Sequence, residues 1–363
     1  MVASDTPPRL LDVERRRDAD ESSRSYLFQA TVAALRFGAE TAPWNVDMLR
    51  LLCDTSVPGM LLPPDIRHES EVLRLPGSRR MEVEWIIPTP GYSWFSWQDR
   101  PDPRSFGRVV LYMHGGAYVL CSPGSLRGVT YSLAKTLGVP VMAPSFRRPP
   151  EHPAPAQVED ALAAYAYLQA TMPHAEIVFA GESAGGGIIA ASLLQLRVDA
   201  CSRLPACALL VSPWTDLRGD GLRGASLENE ALDYLPAAMV RWITAEARGG
   251  LADDDWRISP ICAEGALDSL PPVMVVYGKE ELLCGQVESF CDAWTSRGAL
   301  LRARPVHGGV HAPILFAFCD DAAQSALEDI GTFVRAACRP LGPARASPGC
   351  HPASSPRPPG HGE

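Results

Sequence analysis

The chain has 363 residues, of which 46% are hydrophobic and 21% are charged, as in an ordinary globular protein and unlike a disordered one. Its 33 Lys and Arg residues against 42 Asp and Glu residues give a net charge of −9. Because nucleic-acid binding needs clustered positive charge, we expect no nucleic-acid partner. The length would allow two domains, but we favour one large α/β unit.

The N-terminal residues lack the apolar core of a signal peptide, and no uncharged apolar run is long enough to span a membrane. Ten cysteines occur without a CxxC pair, which is typical of reduced thiols. We therefore expect a cytoplasmic protein with no stable membrane anchor. The sequence leaves its oligomeric state open.

The first predicted elements follow a polar segment, residues 1–24, which we expect to be flexible. Apolar residues at Tyr26, Ala30, Ala33 and Phe37 then recur on one face of a helix. Beyond it, strand patterns alternate with helix patterns, which favours an α/β fold with a mostly parallel sheet and helices on both faces. The predicted strands are 81–87, 108–113, 139–143, 176–180, 207–212 and 273–277, with a last one before 307, and the helices are about 125–137, 156–171, 184–198 and 286–297.

The alternation stops between Asp216 and Pro260, where one amphipathic segment, 237–247, lies in charged sequence. We interpret this stretch as an insertion over the sheet, so that a domain at 25–338 would carry a helical cap from about 25–80 and 216–250. Residues 340–363 contain seven Pro and four Gly, and we predict a disordered tail over 339–363.

A candidate nucleophile follows the strand predicted at 176–180. Gly181-Glu182-Ser183-Ala184-Gly185 is a G-x-S-x-G sequence between a strand and an apolar helix, the context that a nucleophile elbow requires. The sharp turn demands small residues two before and two after the serine, and glycines occupy both positions. Ser183 is therefore our candidate nucleophile.

A second glycine-containing loop, His114-Gly115-Gly116-Ala117, follows the strand predicted at 108–113. Backbone N–H groups of such a loop can approach a substrate oxygen without interference from a Cβ atom. We predict an oxyanion hole formed by the N–H groups of Gly115, Gly116 and Ala184.

Together these motifs resemble the hormone-sensitive-lipase-like branch of the α/β-hydrolase family, with its HGGG loop and GDSAGG elbow. Two further blocks agree with that family, the PEHPAPA sequence at 150–156 with Asp160 after it and Ser212-Pro213-Trp214. The resemblance covers roughly residues 80–335. Ala117 departs from it by replacing the third glycine, and Glu182 by replacing the usual aspartate.

The catalytic base should be a histidine late in the chain, because the order in this fold is serine, acid, histidine. The two candidates are His307 and His311. The family has a glycine, two residues and then the histidine before a helix, and this pattern implies His311. His307 remains the alternative.

The acid should follow the strand predicted at 273–277, where Glu280 and Glu281 are adjacent. The family's D-x-L-x-D pattern, aligned with its leucine on Leu282, implies Glu280, with Glu281 as the competitor. Cys284 stands at the position of the family's second aspartate.

These residues predict a serine carboxylic ester hydrolase that forms an acyl-enzyme on Ser183 and uses no cofactor or metal. The resemblance implies a small-molecule ester substrate with a short to medium acyl group or an acetyl group, including acetyl esters of a larger apolar alcohol. Two alternatives remain. The same residues could serve an amidase or acyltransferase of a biosynthetic pathway, or the fold could be a non-catalytic ligand-binding protein.

Overall fold

The structure is a computed structural model that describes residues 24–42, 44–56, 65–89, 101–201 and 203–340. The flexible N-terminus predicted at 1–24 lies outside these residues except for Arg24. Of the disordered tail predicted at 339–363, all but the first two residues lie outside them as well.

An eight-stranded sheet with the order β1-β2-β4-β3-β5-β6-β7-β8 forms the centre of the fold. The pairs β1/β2 and β2/β4 are antiparallel, and all other neighbours are parallel. The strands are β1 (Ile66–Arg74), β2 (Arg80–Pro88), β3 (Arg108–Met113), β4 (Val141–Pro144), β5 (Glu176–Glu182), β6 (Cys207–Val211), β7 (Val273–Gly278) and β8 (Leu301–Val306).

Helices cover both faces of the sheet, so residues of the central strands are buried on both sides. Alternate residues of β3 enter two hydrophobic cores, Val109, Leu111 and Met113 on one face and Val110 and Tyr112 on the other. The helices are α1 (Tyr26–Thr41), α2 (Val46–Ser56), α3 (Arg127–Leu137), α4 (Ala156–Thr171), α5 (Ala184–Val198), α6 (Ala237–Arg248), α7 (Cys284–Ser296) and α8 (Asp321–Ala337). The predicted α/β fold class is confirmed.

The first core is shared by α4, α5, α6 and α7, and the second by α3 and α8. None of the helices within the described ranges is both long enough and apolar enough to cross a membrane.

The segments expected to form a cap are α1 and α2 at the N-terminus and the stretch around α6. The expected N-terminal boundary near residue 80 is wrong, because β1 pairs with β2 along its whole length, from Ile66 with Pro88 to Arg74 with Arg80. These residues belong to the sheet, so an N-terminal cap segment would have to end before Ile66.

The parallel strands bring their carboxyl ends to one edge of the sheet. His114 directly follows β3, Ser183 follows β5 and Ser212 follows β6. Glu281 and His311 come three and five residues after β7 and β8, respectively. This edge is where the candidate site lies.

Candidate active site

Ser183 stands in a strained turn between β5 and α5, with φ 53° and ψ −123°. A Cβ atom on Gly181 would lie 2.5 Å from the backbone of Gly185, and one on Gly185 would lie 2.0 Å from the carbonyl oxygen of Met113. Glycine is therefore required at both positions. The Ser183 N–H donates to the Val211 carbonyl at 2.8 Å, which ties the turn to the end of β6.

His311 lies in the loop between β8 and α8 and is only 3% exposed. Its backbone N–H donates to Oδ1 of Asp233 at 3.1 Å. The next N–H, of Ala312, donates to the hydroxyl of Ser212 at 2.9 Å. His307, the alternative candidate, is exposed near the end of β8. The structure thus favours His311 as the histidine of this site.

Glu281 is the carboxylate that faces His311. It is fully buried, and its Oε1 lies 3.8 Å from Nδ1 of His311. Its Oε2 accepts hydrogen bonds from the hydroxyl of Ser212 at 2.5 Å and from the Gly278 N–H at 2.9 Å. The carboxylate is thus held on one oxygen and presents the other to the imidazole. A separation of 3.8 Å is longer than a hydrogen bond but within the range of an ion pair.

The structure contradicts the prediction of Glu280 as the acid. The Glu280 N–H donates to the carbonyl of Gly309 at 3.0 Å, and its side chain pairs with Arg24 at 3.6 Å. This backbone contact sets the turn after β7 so that residue 281 points inward. The competing residue, Glu281, therefore occupies the position predicted for Glu280.

The charges around His311 favour its protonated form. Burial alone lowers the pKa of His311, but the adjacent Glu281 carboxylate, with the charges of Asp233 and Glu182, raises the pKa above its ordinary value. Burial in turn raises the pKa values of Glu281 and Asp233. An imidazolium ion formed during a reaction would be stabilised in this environment.

The oxyanion loop after β3 has a left-handed backbone. The φ angles are 102° at Gly116, 53° at Ala117 and 67° at Tyr118. The Gly116 carbonyl accepts from the N–H groups of Val119 and Leu120, which closes the loop into a tight turn.

The prediction of the Gly115 N–H as an oxyanion donor is wrong, because this group donates to Oε1 of Glu182 at 2.6 Å. The N–H groups of Gly116, Ala117 and Ala184 have no acceptor among the residues that the structure describes. Ala117 therefore replaces Gly115 in the set of candidate donors.

Two buried titratable side chains, Glu182 and His114, hold this loop through hydrogen bonds to the backbone of Gly115. Glu182 accepts from the Gly115 N–H and from the hydroxyl of Tyr112, and burial raises the pKa of Glu182 to about 7. His114 donates through Nδ1 to the Gly115 carbonyl at 2.7 Å and stacks on Phe146 at 4.2 Å between ring centroids. Burial lowers the pKa of His114 to about 4, so the ring is neutral at pH 7.

Asp160, which follows the PEHPAPA sequence, is a buried residue that connects two other parts of the fold. Its carboxylate is 2% exposed and accepts from Arg79 at 2.6 Å and from the N–H of Arg147 at 2.8 Å. It joins the segment after β4 to the turn between β1 and β2, so its role is structural.

Sequence reasoning missed Asp233 and gave Ser212 no role beyond its place in a motif. Asp233 lies before α6, in the stretch 216–250 that we expect to form part of a cap (the cap segment), where the sequence has no recognisable pattern. Only its contact with His311 reveals it.

For metals, no group of three or more His, Cys, Asp or Glu side chains within the described part of the chain is arranged to hold an ion.

Comparisons with known proteins agree with the fold. A family model described as alpha/beta hydrolase fold matches residues 110–315. The chain is 39% identical over 198 residues to an acetyl-hydrolase of Streptomyces hygroscopicus, a match that covers 54% of this chain and 64% of that protein. It is 29% identical over 233 residues to the carboxylesterase/phospholipase LipF of Mycobacterium tuberculosis, covering 63% of this chain and 62% of that protein. The chain thus spans less than two thirds of the length of these two relatives.

Among solved structures, the chain is similar to an esterase from the bacterial hormone-sensitive lipase (HSL) family. The TM-score is 0.73 at 29% identity, and the match covers 86% of this chain and 98% of that chain.

Proposed function

The chain belongs to the α/β-hydrolase family, and from this membership we propose that it is a carboxylic ester hydrolase that forms an acyl-enzyme on Ser183. The observation that carries the proposal is the buried pair of His311 and Glu281, 3.8 Å apart, at the sheet edge that also bears the strained turn of Ser183. A serine on such a turn, a histidine and an orienting carboxylate are the three groups that acyl transfer requires.

In the proposed reaction, Oγ of Ser183 attacks the acyl carbon of the ester while His311 takes its proton. His311 then donates this proton to the departing alcohol oxygen, which leaves an acyl-enzyme. A water molecule, deprotonated by the same histidine, attacks the acyl carbon and releases the acid. No cofactor enters this sequence of steps.

Glu281 would orient His311 and stabilise the imidazolium. Its Oε2 already accepts hydrogen bonds from Ser212 and the Gly278 N–H, so Oε1 is the atom available to accept a hydrogen bond from Nδ1–H of His311. Because both partners are buried, their attraction is screened less than in water. The raised pKa of His311 supports this role.

The N–H groups of Gly116, Ala117 and Ala184 would receive the developing oxyanion. They have no acceptor among the residues described; the left-handed backbone of the loop holds those of Gly116 and Ala117, and the start of α5 holds that of Ala184. Donors oriented in advance lose little free energy to reorganisation in the transition state, and this is why they are effective.

We further propose short to medium acyl esters, and acetyl esters in particular, as substrates, including esters of a larger apolar alcohol. The relative of 39% identity is named an acetyl-hydrolase, and another of 30% identity, from Pseudomonas putida, is named an ethyl acetate hydrolase. The substrate would be a small molecule.

Labelling with a fluorophosphonate probe and hydrolysis of 4-nitrophenyl acetate together test the proposal. The wild type should gain one probe mass, located on Ser183 by peptide mapping, and Ser183→Ala should lose both labelling and hydrolysis, the latter by on the order of 10⁴-fold or more. Ser289→Ala is a matched control, because the exposed Ser289 hydroxyl only donates to the Gly285 carbonyl of its own helix. Retention of more than a few per cent of activity in Ser183→Ala would disprove the assignment.

A further inference from the structure

Asp233 connects the two loops that carry His311 and Glu281. Its side chain is 0% exposed. Oδ1 accepts from the N–H of His311 at 3.1 Å, and Oδ2 accepts from the N–H of Leu282, the residue after Glu281, at 2.7 Å. Oδ1 also accepts from the N–H of Tyr234 at 2.8 Å, which fixes the carboxylate relative to its own backbone.

We infer that Asp233 is a positioning residue of the hydrolytic site, which holds the backbones of His311 and Glu281 in register through one carboxylate and stabilises the charged imidazole. This inference rests on the proposed function of the site. It assigns a part of the cap segment, rather than the sheet alone, to the alignment of the reacting groups.

The cap segment is itself well anchored, so Asp233 can act as a fixed point. The side-chain amide of Asn229 donates to the carbonyls of Lys279 at 2.8 Å and Glu281 at 3.0 Å. Arg36 of α1 donates to the Asp233 carbonyl at 3.1 Å. The segment 229–233 is thus bound on one side to the turn after β7 and on the other to α1.

A carboxylate suits this position better than an amide does. The two oxygens of Asp233 accept from backbone N–H groups on both sides, and an asparagine would have to direct its NH₂ group toward one of these donors. One buried N–H would then lose its acceptor, and the two loops would be free to separate. A displacement of about 1 Å in a reacting group can cost about 10²-fold in rate.

The charge of Asp233 also acts on His311. The groups that face this histidine are Glu281 from the turn after β7, Glu182 from β5, and Asp233 with Tyr234 from the cap segment. The Tyr234 ring lies 6.1 Å from the imidazole between centroids and contributes no charge when neutral. Removal of the negative charge at Asp233 therefore lowers the pKa of His311, while the other carboxylates remain.

Asp233→Asn, Asp233→Glu and the matched control Asp220→Asn test this inference. Asp220 also lies in the cap segment 216–250. It is 52% exposed and pairs with Arg241, so its replacement removes an equal charge without contacting the site. The rate of fluorophosphonate labelling and kcat and KM for 4-nitrophenyl acetate are measured from pH 5 to 9. The pKa of His311 is measured independently by ¹³C NMR of labelled histidine, with His311→Asn used to assign the signal.

We expect Asp233→Asn to lower kcat by ~10- to 100-fold with little change in KM. The acid limb of kcat/KM and the NMR pKa of His311 should both move to lower pH by ~1 pH unit, because the charged imidazole loses a stabilising carboxylate. Asp233→Glu keeps the charge but displaces the oxygens, so kcat should fall while the acid limb stays close to that of the wild type. Asp233→Glu also tests the positioning role if Asp233→Asn fails to fold. Asp220→Asn should behave as the wild type.

A lower melting temperature with an unchanged His311 pKa and an unchanged acid limb would overturn the inference and leave Asp233 a purely structural role. Failure of the proposed function is distinguishable from this result, since the wild type would then not be labelled on Ser183. The NMR titration of His311 in wild type and variants would still decide whether Asp233 acts on that group.

Discussion

The hydroxyl of Ser212 donates a hydrogen bond to Glu281 at 2.5 Å and is at the same time the acceptor for the N–H of Ala312, the residue after His311. One side chain at the end of β6 therefore contacts both the acid and the loop that carries the base. Ser212 itself has a φ of 43°, a strained value that its contacts on both sides maintain.

Replacement of the two adjacent carboxylates should separate their roles. Glu281→Gln keeps the side-chain shape but removes the charge that stabilises the imidazolium, so kcat should fall by on the order of 10⁴-fold. Glu280→Gln weakens a partly exposed pair with Arg24, a kind of pair that contributes little, and should stay near the wild-type rate. Both are measured by 4-nitrophenyl acetate hydrolysis. The opposite ranking would restore Glu280 as the acid.

Ser212→Ala should affect both stability and activity. The buried Ala312 N–H loses its acceptor, which should cost about 1–3 kcal/mol in the free energy of unfolding, as measured by urea denaturation. The Glu281 carboxylate also loses one donor, and kcat should decrease while KM changes little. An unchanged kcat would mean that the Gly278 N–H alone is sufficient to hold Glu281.

The oxyanion loop should tolerate glycine at 117 but not alanine at 116. A Cβ atom at Gly116 would lie 2.5 Å from the Leu120 carbonyl oxygen, and φ is 102° there, so Gly116→Ala should abolish hydrolysis. Ala117 has a φ of 53°, a conformation that glycine adopts more easily, and Ala117→Gly should keep activity. Loss of activity in Ala117→Gly alone would show that the methyl group is needed.

Glu182 should make stability depend on pH. Its pKa is raised by burial from 4.5 to about 7, so the native protein holds this proton more tightly than the unfolded chain does. The resulting stabilisation is complete below pH 4.5 and is lost as the pH rises through 7, a change of roughly 3 kcal/mol. In Glu182→Gln this loss should disappear, and the variant should gain stability relative to the wild type between pH 5 and 8.

Urea denaturation of the wild type and Glu182→Gln at several pH values measures this difference. Glu151→Gln is the control, because pairing with Arg50 lowers the pKa of Glu151 to about 2 and the residue stays ionised throughout this range. Parallel stability curves for wild type and Glu182→Gln would refute the prediction.

Hydrophobic periodicity predicts most strands and helices, but not β1, α2 or α8. In α1 it predicts the helix but the wrong face, because Tyr26 and Phe37 are exposed and Phe28 is buried. In β1 only Ile66 and Leu73 are buried, so a strand at the sheet edge shows no clear alternation. In α2 the buried apolar residue is Leu49, and one residue defines no periodicity. Tertiary pairing rather than local sequence stabilises both elements. α8, by contrast, has a regular apolar face, in which Ala323, Leu327 and Ile330 are buried.

The nucleophile could be predicted because its requirements are local, with two glycines, a strand before and a helix after. The acid could not, because the choice between Glu280 and Glu281 depends on a contact with the loop after β8. There a Cβ atom at Gly278 would lie 2.2 Å from the Gly309 carbonyl oxygen, so the two loops pack at their closest distance. Sequence spacing carries no information about such a contact.

The same reason explains the error at the oxyanion loop. The N–H of Gly115 already donates a hydrogen bond to Glu182, 67 residues further along the chain. A glycine motif predicts that donors are present but not which of them a neighbouring side chain has already occupied.

The helix α1 is bound to the opposite end of the described chain. Ser25 donates to the Cys319 carbonyl at 2.6 Å across 294 residues, and Phe28 packs edge-on against Phe316 at 5.2 Å between centroids. During synthesis at about 5–20 residues per second, α1 would therefore wait ~15–60 s for these partners to emerge from the ribosome. The surroundings of His311 are therefore complete only after residues 316–319 have been made, and α1 docks much later than its place in the chain would suggest.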